Sequence, residues 1–214
     1  MRWSYSRYGT WKKCPRLYKY RVIDNLPEPP MTEGPAVRGT EIHAMFEAYL
    51  KDQITELTDE FSYYQNFLDG LKAYGVHSEI KLAFDENWEP VDWDAENMWF
   101  RCILDALVVQ PDRGTIYDWK TGREYKDHAD QREIYSISVL SAYPELYEAS
   151  AYHTYIDTKQ NTFTTFHRDQ LPELKAKWKE NVRLMFEDTL WPANPSFMCR
   201  YCNFSRYKGG PCAF

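Results

Sequence analysis

Hydrophobic positions recur at helical spacing at both ends of the chain and at alternate positions through the middle. Pro27, Pro29, Pro30 and Pro35, with Gly34, mark an extended loop that separates a first helical segment from a second beginning near Val37. In the second, Ile42, Met45, Phe46, Tyr49 and Leu50 form one buried stripe, leaving His43 and Glu47 together on a flank. Leu57, Phe61, Tyr64, Phe67, Leu68 and Leu71 predict another helix within 55–75, ended by Gly75. The period then falls to two, and 78–84, 98–109 and 115–120 read as strands, the last two joined by the turn Pro111-Asp112-Arg113-Gly114. A helix over about 127–142, strands over 149–156 and 162–167, and a helix over about 170–188 with Leu174, Trp178, Val182 and Met185 inward complete the pattern. Helices before and after about five strands predict an α/β sandwich around a central sheet.

With 214 residues the chain can bury one substantial core, so a single domain over 1–214 is expected. Aromatic content of 17% excludes intrinsic disorder, and no apolar run is long enough to span a membrane. No apolar signal segment follows Met1, so a cytoplasmic, reducing compartment is expected, where cysteines more often serve metals or catalysis than disulfides.

A net charge of −6 argues against a nucleic-acid partner until its distribution is read. Arg2, Arg7, Lys12, Lys13, Arg16, Lys19 and Arg21 have no acid among them in residues 1–21, nor have Arg200, Arg206 and Lys208 in residues 190–214. If the two ends meet, they form one basic lobe. The acidic middle suits hard divalent cations, which select carboxylates.

Alternation puts Asp118 and Lys120 on one face of their strand, and the short turn pairs that strand with the one carrying Asp105. Two carboxylates can hold Mg²⁺ or Mn²⁺, and an ammonium beside them can position an attacking water. An isolated Asp-x-Lys is more often a surface ion pair. Here it is followed by Gln131 and Tyr135, one helical turn apart, and preceded by His43, which suits Mn²⁺ as an additional ligand.

Taken in order, Arg38-Gly39-Thr40-Glu41-Ile42-His43, Asp105, Asp118-Trp119-Lys120-Thr121-Gly122 and Gln131-Arg132-Glu133-Ile134-Tyr135 resemble the motif series of the PD-(D/E)XK nucleases, and of the RecB-like exonucleases in particular. The resemblance implies a restriction-endonuclease-like fold with a mixed sheet. It also implies hydrolysis of DNA phosphodiester bonds, with Asp105, Asp118, His43 and the Trp119 carbonyl around the metal and Lys120 on the water. Gln131 and Tyr135 are then expected near the cleaved strand, and Arg38, Lys12, Lys13, Arg16 and Arg200 on phosphates. Tyr5, Tyr8, Trp11 and Tyr201 are available for base stacking. Asp118 stands where this group often has Glu, and Glu79 is expected in a secondary role, as an indirect metal contact or a helix cap.

Cys199, Cys202 and Cys212 fall within fourteen residues, and Cys14 lies far upstream. The fifth, Cys102, is expected on the side of its strand away from Asp105, as a small buried hydrophobe. Four thiolates fit structural zinc and an iron–sulfur cluster equally by spacing. One cysteine before the nuclease core and three after it resembles the iron–sulfur subset of RecB-like nucleases, which implies a [4Fe–4S] cluster. The lobe is then expected from about 1–30 and 190–214 and the nuclease core from about 36–189. The expected activity is an exonuclease acting on DNA with a single-stranded end, in recombination, repair or degradation, with a helicase or recombination partner. Two alternatives stand beside it: trimming of DNA in CRISPR adaptation, and a non-catalytic DNA-binding accessory with structural zinc. No G-x-x-x-x-G-K-[ST] motif is present, so unwinding would fall to a partner.

Overall fold

A computed structural model describes residues 2–30, 33–122, 124–125 and 128–214. The chain divides into two units, one of residues 32–176 and one that combines 1–31 with 177–214.

The larger unit is built on a five-stranded sheet in the order β1 (His77–Phe84), β2 (Phe100–Val109), β3 (Arg113–Lys120), β4 (Glu148–Tyr155), β5 (Gln160–His167). All neighbours are antiparallel except β3 and β4, so the sheet is mixed. The parallel pair needs a crossover, which is the helix His128–Ala142. The helix Pro35–Leu50 precedes the sheet, with Pro35 in its first turn, where a missing N–H costs nothing. Asp59–Tyr64 forms a 3₁₀ helix running into the helix Gln65–Ala73, where the hydrophobic pattern predicts one continuous helix.

These layers cover opposite faces. Ile42, Phe46, Tyr49, Phe61, Tyr64, Leu68 and Leu71 pack on Ala106, Val108 and Trp119. The crossover helix takes the other face, where a Cβ on Gly114 would sit 2.7 Å from Val139 and 3.2 Å from Leu146. Its middle, from Gln131 to Leu140, is buried apart from Glu133, with Ser136 and Ser138 among the fully buried residues.

The terminal unit has an aromatic core. In the helix Tyr5–Lys13, Tyr8 meets Trp178 edge-on, and Trp3 stacks on Trp178 with ring centroids 5.7 Å apart. Past the short helix Pro15–Tyr18 and the π-helical turn Lys19–Ile23, Tyr18 stacks on Trp191 and Tyr20 leans on Phe204. The helix Leu171–Glu187 crosses the division: from Lys177 onward it belongs with the termini. Trp178, fully buried under Trp3 and Tyr8, draws it there.

Candidate active site

The β2–β3 ladder runs from Val109↔Gly114 to Ala106↔Tyr117 and then stops. One residue further, the Asp105 side chain takes over from the backbone: its Oδ2 accepts the Trp119 N–H at 2.8 Å. The Trp119 indole is anchored in the hydrophobic layer against Phe46, so its amide and carbonyl are fixed in place.

His43 rises from its helix to the same point. Its Nδ1 lies 3.2 Å from Asp105 Oδ1, and its Nε2 is 2.7 Å from the Trp119 carbonyl oxygen. Burial works against a charge on this ring. The hydrogen bond and charge of Asp105, the charge of Asp118 and the Trp119 carbonyl outweigh it, so the imidazole is held above its ordinary pKa. Glu79 falls opposite Asp105 in the β1–β2 register, in a backbone conformation with φ of +54°. Burial, and then the Asp105 charge, raise its pKa. It lies within a strand, so it is no helix cap.

Asp118 is engaged from the other layer. Gln131 Nε2 donates to Asp118 Oδ1 at 3.2 Å and to the Tyr135 hydroxyl at 2.9 Å. Lys120 Nζ stands 2.6 Å from Asp118 Oδ2. Gln131 and Tyr135 are each 9% exposed, and their polar atoms are committed to one another and to Asp118. From the crossover helix Gln131 thus braces the Asp118 carboxylate, with Tyr135 behind it. Burial, followed by the charge of Asp118, pushes the Tyr135 hydroxyl well above its ordinary pKa, so it stays protonated.

The fold thus brings His43, Asp105, Asp118, Trp119, Lys120, Gln131 and Tyr135 to one end of the sheet. Their chemistry suits a hard divalent cation: carboxylate oxygens, a carbonyl and an imidazole, with one buried Asp118 oxygen met by the Lys120 ammonium. Among the described residues no three His, Cys, Asp or Glu side chains converge as the ligands of one ion. In the core site the acids are instead turned toward Trp119, His43, Gln131 and Lys120.

A family model of the PD-(D/E)XK nuclease superfamily matches residues 2–207. The chain belongs to that superfamily. Among solved structures, this PD-(D/E)XK protein is similar to one from Eubacterium rectale named "Putative exonuclease", at 12% identity and a TM-score of 0.52, covering 96% of this chain and 87% of that one. It is also similar to a protein named SSO0001, at 14% identity and a TM-score of 0.49, covering 99% and 87%. No curated protein matches.

Arg38, expected on phosphate, forks onto two carboxylates, Asp157 Oδ1 at 2.6 Å and Glu60 Oε1 at 2.8 Å. Asp157 also accepts the Gly122 N–H at 2.8 Å, tying down the segment after Lys120, where Gly122 takes a φ of +89° that a side chain would oppose. Sequence reasoning missed Asp157. It also missed His153, which the β3–β4 register sets directly beside Asp118. No motif marks either residue, because both enter through long-range pairing.

In the terminal unit Cys14, Cys199, Cys202 and Cys212 line a single cavity of about 30 Å³, together with Leu17, Tyr20, Pro195, Phe204 and Phe214. Backbone N–H groups point at two of the sulfurs, Asn194 to Cys14 at 3.5 Å and Ser196 to Cys199 at 3.4 Å. Cys102 stands apart, fully buried, its thiol pushed up to about 12 by burial. Among the expected phosphate contacts in this unit, Lys12, Lys13 and Arg200 lie at the surface. Arg16 is engaged with the Trp191 carbonyl at 2.7 Å. Tyr5, Tyr8 and Trp11 are occupied by Trp178, by each other and by Asp188, which leaves Tyr201 as the exposed aromatic of the expected four.

Proposed function

We infer that this PD-(D/E)XK protein is a divalent-metal-dependent exonuclease acting on DNA, with an iron–sulfur cluster in its terminal unit. The observation that carries the nuclease reading is the gathering of Asp105, Asp118 and Lys120 where the β2–β3 ladder ends, with His43 and the Trp119 carbonyl completing an oxygen- and nitrogen-donor set. Asp105, Asp118, His43 and Trp119 would hold Mg²⁺ or Mn²⁺, which when bound supplies Lewis-acid activation of water and of the phosphoryl group.

Asp105 and Asp118 are fixed from opposite layers, so their spacing is set by the sheet rather than by flexible side chains. Lys120, held by Asp118, presents its ammonium where it orients the attacking water and offsets charge on the scissile phosphate. As the water oxygen bonds to phosphorus, the bond from phosphorus to the leaving sugar oxygen breaks. Gln131 and Tyr135 keep the Asp118 carboxylate from rotating during that exchange. Exonuclease action is favoured by the name carried by the Eubacterium rectale protein and by the likeness to RecB-like enzymes. The same site would serve end resection, degradation, or trimming of DNA for CRISPR insertion. The Lys120–Asp118 pair counts against a non-catalytic accessory.

The cluster reading rests on the resemblance to the iron–sulfur subset of RecB-like nucleases and on four cysteines that line one apolar cavity, with amide N–H groups aimed at two of the sulfurs. Its role would be to hold both chain ends in one basic lobe that binds backbone phosphate through Lys12, Lys13 and Arg200.

Cleavage of linear and closed-circular DNA with Mg²⁺ or Mn²⁺, comparing the unaltered chain with Lys120→Ala, tests the first part. Linear DNA alone should be degraded, and the variant should fold and bind DNA but cleave at least about a hundredfold more slowly. Cleavage by Lys120→Ala at the unaltered rate overturns the assignment. Anaerobic purification tests the second: a colourless protein with zinc and no iron rejects the cluster and leaves the nuclease standing.

A further inference from the structure

We propose that His153, with Arg132 behind it, is a positioning residue for Asp118: a buried imidazole locked in the Nε2–H tautomer, aimed at the one Asp118 oxygen that Gln131 does not bind. The proposal rests on the nuclease reading, in which Asp118 is a metal ligand, and deepens it.

The juxtaposition comes from the sheet. Asp118 and His153 are partners on the parallel strands β3 and β4, so their side chains leave the same face as near neighbours. His153 is fully buried, and its Nε2 lies 3.9 Å from Asp118 Oδ2. His153 Nε2 has no hydrogen-bond partner among the described residues, whereas Asp118 Oδ2 has the Lys120 ammonium at 2.6 Å. A buried imidazole N–H left without an acceptor is costly unless the site uses it.

Arg132 decides the tautomer. A guanidinium can only donate, and Arg132 NH1 stands 3.2 Å from His153 Nδ1, so Nδ1 must present its lone pair. A ring nitrogen that accepts from a guanidinium belongs to a neutral imidazole. The single ring proton is then on Nε2, directed at Asp118. Arg132 is itself fixed: Nε donates to Thr164 at 3.2 Å and NH1 to Thr162 at 2.9 Å, both on β5, and Glu124 lies 3.5 Å away. A guanidinium only 7% exposed is seldom retained without a task. Here its task is to hand a fixed imidazole to the carboxylate.

Asp118 is thereby constrained by groups from three elements: Gln131 on the crossover helix, Lys120 on its own strand and His153 on the neighbouring strand. Such outer contacts set the direction of a carboxylate lone pair, and their loss typically weakens metal affinity or activity 10–100-fold.

Two measurements on the full chain test this. In metal-free protein at neutral pH, ¹⁵N-histidine NMR should show one ring with a protonated Nε2 and a bare Nδ1, its signal identified by its absence from His153→Gln. An Nδ1–H tautomer or an imidazolium at that position overturns the proposal, whatever the variants do. Calorimetric titration with Mn²⁺ and cleavage of linear DNA then compare the substitutions. His153→Gln, whose amide nitrogen reaches the place of Nε2, should stay within about threefold of the unaltered chain. His153→Asn, which reaches only the place of Nδ1, should bind Mn²⁺ about 10–100-fold more weakly. Unaltered Mn²⁺ affinity in His153→Asn, with the parent chain active, overturns this proposal alone. A parent chain that neither binds Mn²⁺ nor cleaves DNA overturns the nuclease reading itself.

Discussion

Gln131 shows how little slack the site has at the level of single side chains. Its two amide hydrogens go to Asp118 and Tyr135, both buried, so truncation leaves two polar groups without their donor at once. Gln131→Ala should therefore lower stability by about 1–3 kcal/mol and reduce cleavage about 10–100-fold, read from thermal melts and from initial rates. Gln131→Glu, which keeps the shape but sets a second acceptor against Asp118, should be no better. Asp188 offers a separate test in the terminal unit. Partial burial opposes its charge, but the Trp11 indole N–H at 2.9 Å and the Trp191 and Leu190 amides outweigh it, so its pKa lies below the usual value. A depressed carboxylate stabilises the fold fully above its unfolded pKa of about 4, and that contribution is lost as pH falls through the folded value. Asp188→Ala should cost about 1–3 kcal/mol at pH 7, and the difference from the parent should shrink in melts taken as pH falls below about 4.

Among the elements, the junction of β3 with the crossover helix is the tightest. Gly114 has no room for a methyl group: a Cβ would sit 2.7 Å from Val139 Cγ1 and 3.2 Å from Leu146 Cδ1. Both neighbours are ends of side chains that can shift, so Gly114→Ala should fold with a loss of about 1–3 kcal/mol. Because β3 carries Asp118 and Lys120, and the helix carries Gln131, the same substitution should also lower the cleavage rate, separating the packing of the layers from the chemistry of the residues. The hydrophobic pattern located all five strands and the crossover helix within a few residues, since each has a clear period. It missed the break between the 3₁₀ turn Asp59–Tyr64 and the helix Gln65–Ala73 because Phe61 and Tyr64 continue the apolar spacing across it.

For the molecule as a whole, two different metal chemistries are expected in two different units, and they should be separable. EDTA should abolish cleavage by withdrawing the divalent ion from the carboxylates. It should leave the thiolate-bound iron and its visible absorbance in place, since soft thiolates retain iron that hard chelators do not strip at neutral pH. Cys202→Ser should do the reverse to the absorbance. Loss of iron with EDTA at the same rate as loss of activity would mean that the two sites are one. Helices here are too short and polar to cross a membrane among the described residues.

The sequence by itself determined the superfamily, the order of elements and the residues that gather at one end of the sheet. Asp105, Asp118, Lys120 and His43 need only the right residue types at strand and helix spacings to be recognised. The tertiary structure decided what lies around them. Parallel pairing of β3 with β4 is a long-range choice, and only that choice sets His153 beside Asp118 and Asp157 beside Arg38. It also turned Gln131, Tyr135, Tyr8 and Trp11 inward, because burial depends on which layer covers a face, and periodicity alone cannot reveal the cover.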